Sequence, residues 1–116
     1  MRMDLSEKEI ENHCLAWLKR NDIMGWKIKS VGTYDPKTKR FRTPSPWYRK
    51  GCPDILCCID GQLIGLEVKT AKGRLSEVQK EFHRDLVKAG GKVYVVRSID
   101  DLPPIFKEIR HGLPSL

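Results

Sequence analysis

Three residues in one short stretch, Asp54, Glu67 and Lys69, have the types and the spacing to bind a cation and activate water. Between the two acids lie apolar runs, ILCCI and LIGL, separated by Asp60-Gly61, a strong signal for a two-residue hairpin turn. With that turn, facing residues have numbers that sum to 121, so Leu56 faces Gly65 and Asp54 faces Glu67. Directly opposed residues point to the same face with Cβ atoms about 4.5–5.5 Å apart. Lys69, two residues beyond Glu67, shares that face. Opposed carboxylates repel, and burial worsens the repulsion. A hard divalent ion, Mg²⁺ or Mn²⁺, relieves it, because carboxylate oxygens are the ligands it prefers. Such an ion can activate a water for hydrolysis of a phosphodiester, and Lys69 can orient that water or stabilise developing negative charge. The competing reading is a cross-strand salt bridge between Lys69 and either acid. Against it, Glu67 and Lys69 interrupt an otherwise apolar strand, where single charges are more often functional than decorative.

The elements that must position these residues follow from periodicity. Residues 5–20 read as a helix with Ser6 as its cap, Glu9 as the capping-box acid and Ile10, Cys14, Trp17 and Leu18 on one face. WKIKSV is a strand, and residues 32–50 form a long connection rich in Pro, Thr and cations; a connection of that length in a compact domain is usually functional. CPDILCCI and LIGLEVKT make the hairpin. A helix then starts at Ser76, carries Val78, Phe82, Leu86 and Ala89 at helical spacing, and ends at Gly90-Gly91. KVYVVRS is a β-branched strand, and a last short helix carrying Ile105, Phe106 and Ile109 follows Pro103-Pro104. The order is α-β-β-β-α-β-α, an α/β class with a mixed sheet flanked by helices. The strand–helix–strand unit around the Ser76 helix calls for a parallel pair with a right-handed crossover.

Charge and composition narrow the partner. The chain of 116 residues fits one domain, with 40% hydrophobic and 32% charged residues, as in a globular protein. Its net charge of +7 is local: residues 19–50 hold ten cations against Asp22 and Asp35, which is +8, while residues 1–18 sum to −2 and residues 51–116 to +1. Such a patch suits a polyanion, since each neutralised phosphate releases condensed counterions. The bland alternative is a solvated basic loop. No apolar run reaches the roughly 18–20 residues that span a bilayer, and the acid-rich start MRMDLSEKEIE is unlike a secretory signal, so a cytoplasmic protein is expected. Cys14, Cys52, Cys57 and Cys58 contain no C-x-x-C pair and read as buried structural thiols rather than a zinc or iron–sulfur site. His13, His83 and His111 are too scattered to form a ligand cluster and read as ordinary surface or half-buried residues. Trp26, Trp47 and Tyr48 are left open among base stacking, core packing and a dimer interface.

Pro53-Asp54, twelve residues, then Glu67-Val68-Lys69 resembles the PD-(D/E)xK nuclease motif. Its surroundings resemble one branch of that superfamily, the virus-type replication-repair nuclease (VRR-NUC) domain. They comprise Lys50-Gly51-Cys52 before the motif, Thr70 and Gly73 after it, Leu75-Ser76 with Gln79, Ala89-Gly90-Gly91, and Val95 through Asp101. The run from Ser6-Glu7 through Ile10-Glu11 to Trp17-Leu18 is similar to the family's first helix, so the resemblance covers nearly the whole chain. It implies a restriction-endonuclease-like core. By the same resemblance Asp54, Glu67 and the Val68 backbone carbonyl are metal ligands, Lys69 is the motif lysine, Gln79 lies near the site, and the first helix contributes Glu11 or Glu7. Of these two, Glu11 is favoured, because Glu7 stands in the first turn, where an acid is favourable for dipole reasons alone. Gln79 also suits a capping box with Ser76.

The expected activity is a Mg²⁺- or Mn²⁺-dependent endonuclease, with Lys37, Lys39, Arg40, Arg42, Arg49 and Lys50 gripping DNA. Stand-alone VRR-NUC proteins of this size look like phage or bacterial homodimers acting on branched DNA, including four-way junctions, and the resemblance extends that expectation here. No nucleotide cofactor is implied. The runner-up is a non-catalytic DNA-binding module with the same fold, which the basic loop supports equally but the opposed acids do not.

Overall fold

The computed structural model describes residues 4–28, 34–41 and 46–111, the side chains at 34, 35, 40, 41 and 111 excepted. Helix α1 (Glu7–Arg20) begins at Ser6, whose hydroxyl accepts from Glu9 N–H while the Glu9 carboxylate accepts from Ser6 N–H, both at 3.2 Å. This closed capping box satisfies two amide donors that the helix itself leaves unpaired. Ile10, Cys14 and Leu18 recur along one face and are buried.

Strand β1 (Met24–Lys27) follows, two residues earlier than the WKIKSV reading, whose last three residues lie outside the described ones. The connection that reads as loop contains a small ribbon, β2 (Tyr34–Asp35) antiparallel to β3 (Arg40–Phe41). Pro36 fixes φ just after β2, and Lys39 adopts φ 56° just before β3, so Asp35-Pro36 starts a turn rather than an open loop. Two strands are thereby added to the expected order.

Strands β4 (Ile55–Ile59) and β5 (Gln62–Val68) form the predicted hairpin in the predicted register, with Ile59 opposite Gln62 and Ile55 opposite Leu66. Asp60 (φ 50°) and Gly61 (φ 78°) both have positive φ, the signature of the two-residue turn that matches strand twist. Helix α2 (Glu77–Lys88) carries the chain back to β6 (Lys92–Val96), which lies parallel to β5. The four-stranded sheet has the order β1-β4-β5-β6. A 3-10 turn (Ile99–Asp101) leads into α3 (Leu102–His111), which takes up Pro103 and Pro104 in its first turn, where a missing amide donor costs nothing.

The two sheet faces differ in kind. Gly25, Cys57 and Ile64 stand in one row, and Ile55, Leu66 and Tyr94 in the next. These rows face α1: a Cβ on Gly25 would come within 2.7 Å of the Leu18 side chain. With Val68, Val96, Leu102, Phe106 and Ile109 they complete the core. The opposite face carries Leu56, Gly65 and Val93, then Glu67 beside Val95. Helix α2 lies over it less tightly, with no residue fully buried and Val78 exposed despite its place in the apolar repeat. Glu67 is therefore set beneath the looser helix, at the end of a buried strand.

Cys14 and Cys57 are buried free thiols, as read, but Cys58 is exposed and Cys52 half-buried. Burial pushes Cys14 up to about 11 and Cys57 up to about 12, which keeps both protonated and inert. Among the described residues no helix is long and apolar enough to cross a membrane.

Candidate active site

Asp54 is the residue immediately before β4, and three contacts fix it. Its carbonyl accepts from Ile28 N–H at 2.9 Å, tying it to β1. Its side-chain Oδ2 accepts from Val68 N–H at 2.8 Å, across the hairpin. Before it, Pro53 is buried against Gly65, where an added Cβ would meet Pro53 Cγ at 2.6 Å. Glycine at 65 is thus what lets Pro53-Asp54 lie close over β5.

Glu67 faces that arrangement and is 1% exposed, the one ionisable acid or base in the core among the described residues. Desolvation by burial pushes its carboxyl up to about 9. Hydrogen bonding with Asp54 and the Asp54 charge push in the same direction, the nearby Lys69 charge opposes them, and the Glu7 charge adds to the rise. Glu67 Oε1 also meets His83 Nε2 at 3.0 Å. Lys69 follows β5, its amide bonded to Val96 O at 3.0 Å, and its charge is felt at both Glu67 and His83. Asp54, Glu67 and Lys69 therefore come together.

The remaining candidates are distributed differently. Gln79 closes the α2 capping box: its side-chain oxygen accepts from Ser76 N–H at 2.9 Å, and its own N–H donates to Ser76 Oγ at 3.2 Å. Glu11 lies 3.8 Å from Lys27 Nζ on the α1 side of the sheet, away from the Glu67 face. It is Glu7, one turn earlier, whose charge reaches Glu67. Lys37, Lys39 and Lys50 are exposed. The side chain of Arg40 and all of Arg42 lie outside the described residues. Arg49 pairs with Asp85 and stands 4.9 Å from the centre of the Phe82 ring, so it also pins the basic segment to α2.

Three contributors escaped the sequence reading. His83 lies one helical turn after Gln79, a spacing that could have flagged it as facing the same way. Cys52 is close enough to Glu67 and Asp54 that, after burial, their charges raise its thiol. Arg97 donates from one guanidinium nitrogen to the carbonyls of Thr70 (2.6 Å), Gly73 (2.8 Å) and Ala71 (3.3 Å), holding the turn that follows Lys69. No sequence signal marks that clamp, which depends on β6 ending beside β5.

A fold comparison bears on this arrangement. The chain superposes on a solved structure described as a VRR_NUC domain protein with a TM-score of 0.64, over 95% of this chain and 93% of that one, at 24% sequence identity. The chain has the VRR-NUC fold. No protein-family model and no curated protein matches it. The mixed sheet flanked by helices is thus the expected restriction-endonuclease-like core, shared over nearly the full length of both chains. Within the VRR-NUC fold, Asp54, Glu67 and Lys69 occupy the hairpin end under α2.

The donor set also bears on what could bind. Among the described residues no group of three or more His, Cys, Asp or Glu side chains is placed to hold a metal ion. Two carboxylates with a neighbouring backbone oxygen instead suit a hard cation that retains several waters. Glu67 is buried beside a second carboxyl, and its raised carboxyl keeps a proton at neutral pH that a bound cation would displace. The residues fit Mg²⁺ or Mn²⁺.

Proposed function

We propose that this chain is a Mg²⁺- or Mn²⁺-dependent deoxyribonuclease that hydrolyses phosphodiester bonds, with branched DNA such as a four-way junction as substrate. The observation that carries it is the buried Glu67 carboxyl opposite Asp54 with Lys69 alongside, on a VRR-NUC fold. A fold has little to gain from two facing acids in a desolvated place unless a cation binds between them.

In this reading Asp54, Glu67 and the Val68 carbonyl hold the ion. When bound, it supplies Lewis-acid charge to the phosphate and makes water a better nucleophile. The chain's own residues do the rest. The Val68 amide keeps one Asp54 oxygen fixed. Lys69, on a backbone anchored to Val96, brings an ammonium to where phosphate charge grows. Lys37, Lys39 and Lys50 on the basic segment contact the DNA backbone, with Arg40, Arg42 and Arg49 in the same stretch. Two copies, each with one site, would cut two strands symmetrically, which supports a homodimer as the working form.

The test is cleavage of labelled single-stranded, duplex, flap and four-way substrates in Mg²⁺, Mn²⁺ and EDTA. Wild type should cut with metal and not in EDTA, with the four-way substrate preferred. Asp54→Ala and Lys69→Ala should lose cleavage while still shifting the same DNA in a gel. Variants that cut like wild type would refute the site. DNA binding without any metal-stimulated cleavage would instead favour a non-catalytic binding module.

A further inference from the structure

The Glu67 carboxylate has a partner that neither the motif nor the proposed reaction assigns. His83 projects from the middle of α2 with its side chain 13% exposed, and its Nε2 lies 3.0 Å from Glu67 Oε1. Once Glu67 is ionised, as a metal ligand must be, both its oxygens can only accept, so the 3.0 Å contact is one in which the ring donates Nε2–H. Asp54 is held in the same manner, its Oδ2 accepting from Val68 N–H at 2.8 Å. Each acid therefore has one oxygen held by a protein group, and the hydrogen bond that the two carboxyls share is the contact a bound cation would replace.

Helix α2 is itself restrained around His83. Leu86, one turn later on the same side, packs toward Gly65 and Gly91. Phe82, the preceding residue, lies under the Arg49 guanidinium, and Asp85 pairs with it. The imidazole thus sits on a turn with few alternative placements, as a residue that orients a ligand must.

We propose that His83 is a positioning residue: its Nε2–H fixes the Glu67 carboxylate in the orientation that binds the divalent ion, without itself touching the ion. This rests on the metal-dependent reading above. Groups that hold a ligating side chain in place typically change metal affinity 10–100-fold when lost. A glutamine, whose amide nitrogen reaches about as far as Nε2, can replace the donor; an alanine cannot.

The experiment measures Mn²⁺ binding by electron paramagnetic resonance and by calorimetry, in the full chain, for wild type, His83→Ala, His83→Gln and Asp54→Ala. His83→Ala should weaken Mn²⁺ binding about 10–100-fold, and His83→Gln should bring it back to within a few-fold of wild type. Circular dichroism and thermal melts of each variant show whether it is folded. If His83→Ala folds and binds Mn²⁺ as wild type does while Asp54→Ala does not, the positioning role is overturned and the metal site stands. If wild type binds no Mn²⁺, the metal reading itself fails and the role of His83 with it. A nitrogen coupling from imidazole in the spectrum of the wild-type Mn²⁺ complex would also overturn the proposal, by making His83 a ligand.

Discussion

Replacing Glu67 by glutamine keeps the shape of the side chain and removes its titration, so it isolates the cost of a buried ionisable carboxyl at the hairpin end. A glutamine carbonyl can still accept from His83 Nε2–H, and its amide can donate to Asp54. In the metal-free protein the Glu67 carboxyl sits at about 9 against 4.5 for an unstrained one. A carboxyl raised in the folded state contributes stability that is whole below its unfolded value and is lost as pH rises toward the folded one. At pH 8 that loss extends over roughly 3.5 pH units at about 1.4 kcal/mol each. Relaxation of the surroundings on ionisation absorbs part of it, and a gain of about 2–5 kcal/mol is expected for Glu67→Gln at pH 8 in EDTA. That is a large share of a small domain's stability.

The assay is urea unfolding from pH 6.5 to 9 in EDTA, with wild type losing stability across the range and Glu67→Gln nearly level. His83 sets the lower limit of that window. Its lowered value removes stability only as pH falls below 6.5, the opposite sign. Mg²⁺ or Mn²⁺ should then stabilise wild type more than the variant. Parallel pH profiles for the two proteins in EDTA would refute the claim that burial raises the Glu67 carboxyl.

Three further outcomes follow from single contacts. Gly65→Ala drives a Cβ into Pro53 and should cost about 1–3 kcal/mol by overpacking, while lowering the cleavage rate through displacement of Asp54; thermal melts and single-turnover cleavage check this. Arg97→Met removes three donated hydrogen bonds and should cost about 1–3 kcal/mol. Hydrogen exchange at Gly73, whose amide bonds Thr70 O, should quicken, and unchanged exchange would deny Arg97 its clamping role. Lys39→Ala and Lys50→Ala should each weaken binding to all DNA substrates alike and flatten the salt dependence by about one ion, measured by fluorescence anisotropy at several salt concentrations.

Much of this is legible in the sequence because the hairpin is governed by local rules. Asp60-Gly61 fixes a two-residue turn, the turn fixes the register, and the register brings Asp54 to Glu67. Capping boxes at Ser6 and Ser76 are equally local and were equally readable. What escaped depends on contacts between elements distant in sequence. The Asp35-Pro36 turn was hidden because a two-residue strand offers too little periodicity to show. His83 meets Glu67 across 16 positions, and its helix gives no sign of which strand residue it will cover. Glu11 and Glu7 both flank the apolar stripe of α1, and the sequence does not say that Glu11 meets Lys27 while the Glu7 charge reaches Glu67.

Helix α2 links the two parts that the sequence places far apart. The basic segment reaches it through Arg49, which stacks on Phe82 and pairs with Asp85. The hairpin reaches it through Glu67 and His83. Residues 82, 83 and 85 belong to a single helical turn, so both anchors act on the same short piece of backbone. On the proposed reading, a phosphate that drew Arg49 from Asp85 and an ion that drew on Glu67 would act on this same turn. Under thermodynamic linkage such effects are reciprocal: whatever DNA does to the affinity of the carboxylates for a cation, the cation does equally to DNA. Helix α2 has no fully buried residue, so both anchors meet on the sheet face opposite the core that α1 and α3 close.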